Sequence, residues 1–457
     1  MNPLPYLLLT IVVTSTLLFG AVEPWSIAIV GILTALMFCL FVLSFPGFTP
    51  EDRSSRRIAF ACFLLFAYGL FQLIPLPVSF LKLLHPPLAE ILALPAISSD
   101  SSVSATTAYS LLPTVLPVFH SVSLYPFVTE LGLAKITIYL MVFAIAAFGF
   151  DDREDIYFVL KVLAIFCFIV GVFAIIQKGL WNGKIYWFRE LTQGGIPFGP
   201  FVNRNHFAGW IGMVVPLSLG IGLMSRRGDK RIRYSFLGLI MAVALFFSLS
   251  RGGIISFLVG MGVFAFIAFR NTLSKRRLFP LFLFVLVLAG YLVYLGVSPI
   301  IERFAGTEPS NEQRLVVWVA SLAAAKGFPV LGSGVGTYQY LFKMYQPESV
   351  QLFYDHAHND YIEFLIETGV IGLALAALFA YLIFKTIRSA DWTRREAYLK
   401  AGFYASIVSM AVHSFFDFNL HIPSNAILFS LILGLAVSLS RLNRDYEGTE
   451  VNEQISK

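Results

Sequence analysis

A chain of 457 residues that is 57% hydrophobic and 13% charged, with a mean hydropathy of +0.77, lies well outside the composition of a water-soluble protein. That excludes a soluble enzyme and a nucleic-acid-binding module, and it indicates an all-α polytopic membrane protein. The net charge of +6 is small for the length, and its distribution along the chain is more informative than its sum.

A membrane-crossing helix needs about 20 mostly apolar residues. That window predicts twelve spans, at 4–21, 25–45, 58–75, 131–149, 156–176, 206–224, 234–250, 252–269, 278–296, 361–384, 398–416 and 422–440. The first, Leu4 to Ala21, has no basic region ahead of it and no clear cleavage site, so it is expected to be a retained span rather than a signal peptide. Cys39, Cys62 and Cys167 fall in apolar runs, where they behave as small hydrophobes and say nothing about redox compartment. The apolar stretch Leu81 to Leu94 is broken by 85-HPPLAE-90 and reads as interfacial.

An even span count puts both termini on one side. Lys and Arg resist translocation in short loops, and the basic clusters 51-EDRSSRR-57, 225-SRRGDKRIR-233, 270-RNTLSKRR-277 and 385-KTIRSADWTRRE-396 all fall in even-numbered connections. Those connections and both termini are expected in the cytoplasm. The long connections 76–130, 177–205 and 297–360 then face the other side, and loops of such length are usually functional. The tail 441–457 is polar and is expected to be a disordered cytoplasmic segment.

The polar residues at span ends are not evenly distributed. On the face opposite the cytoplasm they form five short segments: 199-GPFVNRNHFAG-209, 248-SLSRGGIIS-256, 311-NEQRLVVW-318, 355-DHAHNDYIEFLIETGVIGL-373 and 411-AVHSFFDFNLHIPSN-425. Arg204, Arg251 and Arg314 each sit in one of them. A guanidinium can hold a phosphate with a bidentate fork, and Gly252 and Gly253 allow close approach beside Arg251. The competing readings are snorkelling to lipid headgroups for Arg204 and Arg251, and an ion pair with Glu312 or Glu308 for Arg314. Three arginines on one face favour a polyanionic ligand.

In the fourth segment, Asn359 or Asp360 can cap the following helix, with Glu363 in a capping-box-like place. His356 and His358 cap nothing. Asp360, Glu363 and Glu367 share one helical face, and an acid as deep as Glu367 must face the protein interior or a wet cavity. A histidine beside carboxylates suits proton acceptance near neutral pH. Metal binding by the His-x-His pair with Asp355 or Asp360 has loose spacing and no further ligand nearby. In the last segment Asp417 follows His413 at helical spacing, which reads as a packing bond in preference to support for the site. The Gly-rich 332-GSGVGTY-338 lacks the Lys-Ser/Thr of a phosphate loop and reads as a turn before a loop helix.

The run 250-SRGG-253, the stretch 332-GSGVGTY-338 and 356-HAHNDYIEFLIETGVIG-372 resemble the bacterial O-antigen ligase superfamily, which includes O-antigen ligases, related polysaccharide polymerases and protein O-oligosaccharyltransferases. The likeness covers about residues 195–375. It implies a GT-C-like, metal-independent glycosyltransferase of the inner membrane, without cofactor, working on the periplasmic face. The implied donor is a glycan on undecaprenyl diphosphate, and the implied acceptor is lipid A core or another glycan. Arg204 and Arg251, with Arg314 added, would hold the donor diphosphate. His358 or His356 would activate the acceptor, His358 being favoured because His-Asn is the family's steadier element; the residues themselves offer Asp360 and Glu367 to orient it. A large periplasmic loop, 297–360, would carry these catalytic residues between spans 1–9 (residues 1–296) and spans 10–12 (residues 361–440). A polymerase, a protein O-oligosaccharyltransferase and a transporter of lipid-linked glycans are the rivals. The first two share the resemblance, the second with a larger periplasmic domain. The transporter would need charges along a mid-membrane path, which the spans largely lack.

Overall fold

The computed structural model describes residues 2–44, 52–84, 119–191, 195–270, 290, 309–350 and 352–455. The expected ninth span, 278–296, lies outside them apart from Gly290, as do 85-HPPLAE-90 and most of 270-RNTLSKRR-277. In chain order the helices are α1 (Leu4–Leu17), α2 (Pro24–Ser44), α3 (Arg53–Phe71), α4 (Val78–Leu84), α5 (Pro126–Phe148), α6 (Arg153–Gly179) and α7 (Arg204–Met224). They continue as α8 (Gly228–Phe247), α9 (Arg251–Arg270), α10 (Pro309–Gly327), α11 (Tyr338–Tyr345), α12 (Asp360–Ser389), α13 (Glu396–His413) and α14 (Pro423–Ile455). A short antiparallel ribbon, β1 (Pro75–Pro77) with β2 (Phe119–Ser121), interrupts the all-helical expectation.

Among the described residues, eight helices are long and apolar enough to cross a membrane: α2, α3, α5, α6, α7, α9, α12 and the first part of α14. The expected first span is shorter than drawn: α1 stops at Leu17, and left-handed backbone at Phe19, Gly20 and Ala21 turns the chain. The spans expected at 234–250 and 398–416 are helices, α8 and α13, with charged residues in their first turns. The tail is helical to Ile455 instead of disordered. Arg441 and Arg444 pin its start, through Asp151 at 3.6 Å, Asp52 at 3.9 Å and the Ser54 hydroxyl at 3.0 Å.

The chain divides into two units. The first comprises Met1–Phe60, Thr137–Glu308 and Ala380–Lys457, and the second Ala61–Ile136 and Pro309–Phe379. In the first, α7 is buried on all sides from His206 to Leu223. Small residues allow this, because helix association in apolar surroundings depends on close backbone approach and not on hydrophobicity. A Cβ on Gly220 would stand 2.8 Å from the Tyr398 carbonyl of α13, one on Gly402 2.9 Å from the Pro216 carbonyl of α7, and one on Gly260 of α9 2.7 Å from the Ala405 carbonyl. Ser406 of α13 ties across by donating to the Met213 carbonyl.

The second unit is organised by a break in α12. At Gly369 the backbone takes φ 61°, ψ −169°, so the helical ladder is interrupted on both sides. Residues 329–335, Tyr68 of α3 and Gln72 just after it take up groups on both sides of the break. The Val370 and Ile371 amides donate to the Pro329 and Val330 carbonyls, while Ser333 and Gly334 amides donate to the carbonyls of Ile366 and Glu367. Buried Gln72 donates to both the Leu331 and Glu367 carbonyls at 2.9 Å and accepts from the Val335 amide. The Tyr68 hydroxyl lies 2.8 Å from the Leu331 and Thr368 carbonyls. Irregular backbone at membrane depth is tolerated where protein satisfies it. Gly332, at φ 72°, has no room for a Cβ, which would overlap the Glu367 backbone. The expected turn before a loop helix is therefore present, with α11 following, and it also serves as the joint that holds the broken helix.

Adding a methyl group at Gly332 or Gly369 combines left-handed strain with a backbone clash, and either alanine variant should lose at least ~2 kcal/mol of stability. Gly262→Ala, which adds a methyl group with nothing within 4 Å, should stay within about 0.5 kcal/mol of the parent. Thermal unfolding in detergent micelles distinguishes the two classes.

Candidate functional site

In the second unit the histidine segment is fixed from three directions. Asn359 is the helix cap: its side-chain oxygen accepts from the amides of Tyr361 and Ile362 at 3.0 and 3.1 Å. Asp360 is the first residue of α12 and is buried, where the positive end of the helix dipole favours a carboxylate. The Trp318 indole of α10 donates to the Ala357 carbonyl at 2.9 Å. Glu363 completes the clamp, one carboxylate oxygen accepting from the Ala357 amide at 2.9 Å and the other lying 2.7 Å from His356 Nδ1.

This last pair sets the chemistry of His356. Glu363 is 1% exposed in its side chain and His356 26%, so a buried carboxylate grips a partly open imidazole. With Nδ1–H donated to the carboxylate, Nε2 carries the lone pair, and the carboxylate orients the ring. Sequence reasoning gave the orienting role to Asp360 and Glu367 and saw in Glu363 only a capping position. The usable signal was the turn between His356 and Glu363, which brings residues seven apart into contact across a helix start.

Glu367 has a contact of its own. Buried at 2% exposure, it accepts from the Tyr338 amide at 3.2 Å and so caps α11. The Tyr338 hydroxyl pairs with Ser321 at 2.9 Å. Burial pushes the Tyr338 phenol far above its ordinary range, and the nearby Glu363, Asp355 and Glu367 carboxylates push it the same way. His358 has left-handed backbone, φ 50°, uncommon for a residue with a side chain, and its ring meets Tyr354 edge-on at 6.1 Å. Arg314 is half-buried on α10, one turn before Trp318 and therefore on the same face of that helix. The second unit thus contains Arg314, both histidines and the three acids.

Arg204 and Arg251 belong to the first unit, and they are placed alike. Each is the first residue of its helix, directly after a side-chain cap. The Asn203 side chain accepts from the Asn205 amide at 2.9 Å ahead of α7, and the Ser250 hydroxyl accepts from the Gly253 amide at 3.2 Å ahead of α9. The turn from α8 into α9 is as tight as expected, spanning Ser248 to Ser250 with left-handed backbone at Leu249. The two first turns touch: a Cβ on Gly253 would lie 2.5 Å from the Ala208 Cβ. Both arginines are half-buried at helix ends that carry partial positive charge, a setting suited to an anion. Asp417 lies one turn beyond the end of α13 at His413. Its amide donates back to the His413 carbonyl at 3.1 Å.

The family model described as O-antigen ligase matches residues 236–377, an interval that holds Arg251, Arg314, both histidines and the break at Gly369 but not Arg204. Two proteins named "Putative polysaccharide ligase" are similar to the chain. The one from Rickettsia typhi is 24% identical over 194 residues, covering 40% of this chain and 46% of the relative. The one from Rickettsia prowazekii is 24% identical over 221 residues, covering 46% and 51%. The chain spans about half the length of the curated relatives it matches. Over residues 236–377, which hold these site residues, the chain is therefore similar to the O-antigen ligase family.

Proposed function

We propose that this membrane protein transfers a glycan from undecaprenyl diphosphate to a hydroxyl acceptor on the periplasmic face of the inner membrane, with lipid A core as the acceptor. A ligase-type glycosyl transfer is what the domain and the relatives support. The observation that carries the chemistry is the His356–Glu363 pair, an imidazole held by a buried carboxylate in a loop clamped by Trp318 and Asn359. That pair favours His356 over His358 as the base, whereas the family resemblance favours His358.

In this reading the acceptor O–H gives its proton to the histidine as its oxygen bonds to the anomeric carbon. The bond from that carbon to the diphosphate oxygen breaks, and undecaprenyl diphosphate leaves with the electron pair. Arg204 and Arg251, with Arg314, are assigned to the diphosphate, whose negative charge grows as the bond breaks. Fixed guanidiniums stabilise such charge without reorganisation. The step needs neither a nucleotide nor a metal. Asp360 and Glu367 hold the helix start and the α11 cap on which the histidine loop is built.

Loss of the gene in its host should remove all glycan-capped lipopolysaccharide and leave lipid-linked polymer to accumulate. A ladder reduced to a single-unit cap would identify a polymerase, and an unchanged ladder would point to another acceptor. With purified protein, His356→Ala should lower kcat by about 10²- to 10⁴-fold, the usual contribution of a general base. Glu363→Gln should follow it and change the pH profile of kcat. Near-normal turnover in His356→Ala beside an inactive His358→Ala would give the base role to His358.

A further inference from the structure

The turn after α13 buries His413, Ser414 and Asp417, and neither the arginines nor the histidine loop accounts for it. His413, the last residue of α13, is 1% exposed. Its imidazole lies against the first turns of both helices that the arginines begin. A Cβ on Gly209 of α7 would stand 2.9 Å from its Nδ1, and a Cβ on Gly252 of α9 would stand 3.3 Å from its Cδ2 and 3.4 Å from its Nε2. Only the missing side chains at these two positions let one flat ring touch both backbones. The turn behind it is secured to α7 as well. Asn425, fully buried, donates to the His206 carbonyl and to the Asn419 side-chain oxygen, both at 2.9 Å. That oxygen in turn lies 2.5 Å from where a Gly209 Cβ would be.

We infer that His413 is a positioning residue that sets the spacing between Arg204 and Arg251. Direct contact between Gly253 and Ala208 limits how closely the two first turns approach, and the wedged ring limits how they rotate about that contact. Neither arginine can shift along its helix, since each is the first residue after a cap. The separation of the guanidinium stems therefore follows from the ring's seat. A diphosphate has two phosphoryl groups at a fixed short distance, so a pair of arginines that holds both must itself be fixed. The inference rests on the assignment of these arginines to the donor diphosphate.

The test is kinetic, on full-length protein in detergent, with undecaprenyl diphosphate as the binding probe and the lipid-linked glycan as donor. His413→Ala should raise the donor KM and the Kd for undecaprenyl diphosphate by about ten- to a hundredfold, the scale of a small misplacement of binding groups, while the acceptor KM stays at its parent value. His413→Gln, which keeps a polar group of similar reach, should recover part of the loss. Gly209→Ala leaves the ring present but pushes against it, and should reproduce the donor-side defect. It also carries the test if His413→Ala does not accumulate. In the double variant the two effects should be less than additive, because they act on one contact. Parent donor KM and Kd in His413→Ala or Gly209→Ala, with only kcat or yield reduced, would overturn the spacer role. Arg204→Ala and Arg251→Ala, measured alongside, separate the two claims. If they raise the donor KM while the His413 variants do not, the spacer falls and the arginine assignment stands. If they leave it unchanged, the arginine assignment falls and takes the spacer with it.

Discussion

A backbone amide or carbonyl away from water must be bonded, and the second unit is built around one place where the helix cannot do this for itself. The break at Gly369 leaves groups on both sides of residues 366–371 without helical partners. The turn 329–335, the side chain of Gln72 and the hydroxyl of Tyr68 supply partners for them. Each unbonded group would cost several kcal/mol in hydrocarbon, so the loop and the broken helix are mutually dependent. The consequences reach the candidate site. The same loop leads into α11, whose start is capped by Glu367 from the turn just before the break. One turn earlier on α12, Glu363 holds His356. A short length of helix therefore carries the cap, the joint and the histidine partner together.

The first unit solves a different problem, that of placing two cations at helix starts in apolar surroundings. It does so with small residues. Gly253 against Ala208, and Gly209 and Gly252 against His413, let backbone and ring come closer than larger side chains would allow. The caps at Asn203 and Ser250 then make Arg204 and Arg251 the first helical residues. Close packing of this kind transmits small changes, since there is no slack to absorb a methyl group.

Much of this arrangement could be read from the residues. Apolar runs located the helices, and the tight Ser-Leu-Ser turn ahead of Arg251 was visible in the short gap between two runs. The polar segments 199–209, 248–256 and 355–373 could be recognised as composed settings because polar residues are costly beside hydrocarbon. What could not be read depends on distant partners. Residues 361–384 look like one continuous apolar helix, since a lone glycine in such a run is ordinary, and the groups that satisfy the break come from Gln72 and Tyr68, almost three hundred positions away. The choice of Glu363 for His356 was hidden because helical periodicity describes the residues after Asp360 but not the loop before it. The reading of the tail as disordered missed that Asp52 and Asp151 are partners for Arg444 and Arg441 at its start, which composition does not register.

The central claim, that the chain is a metal-independent transferase using a lipid diphosphate, is tested most directly by stoichiometry in a purified system. Full-length protein is mixed with glycan-linked undecaprenyl diphosphate and lipid A core in micelles, with and without a strong chelator, and both products are counted by mass spectrometry. The account predicts one undecaprenyl diphosphate released for each glycan joined to the core, at the same rate in both samples. Donor left intact with no glycan joined to the core, or transfer that stops on chelation, would contradict it.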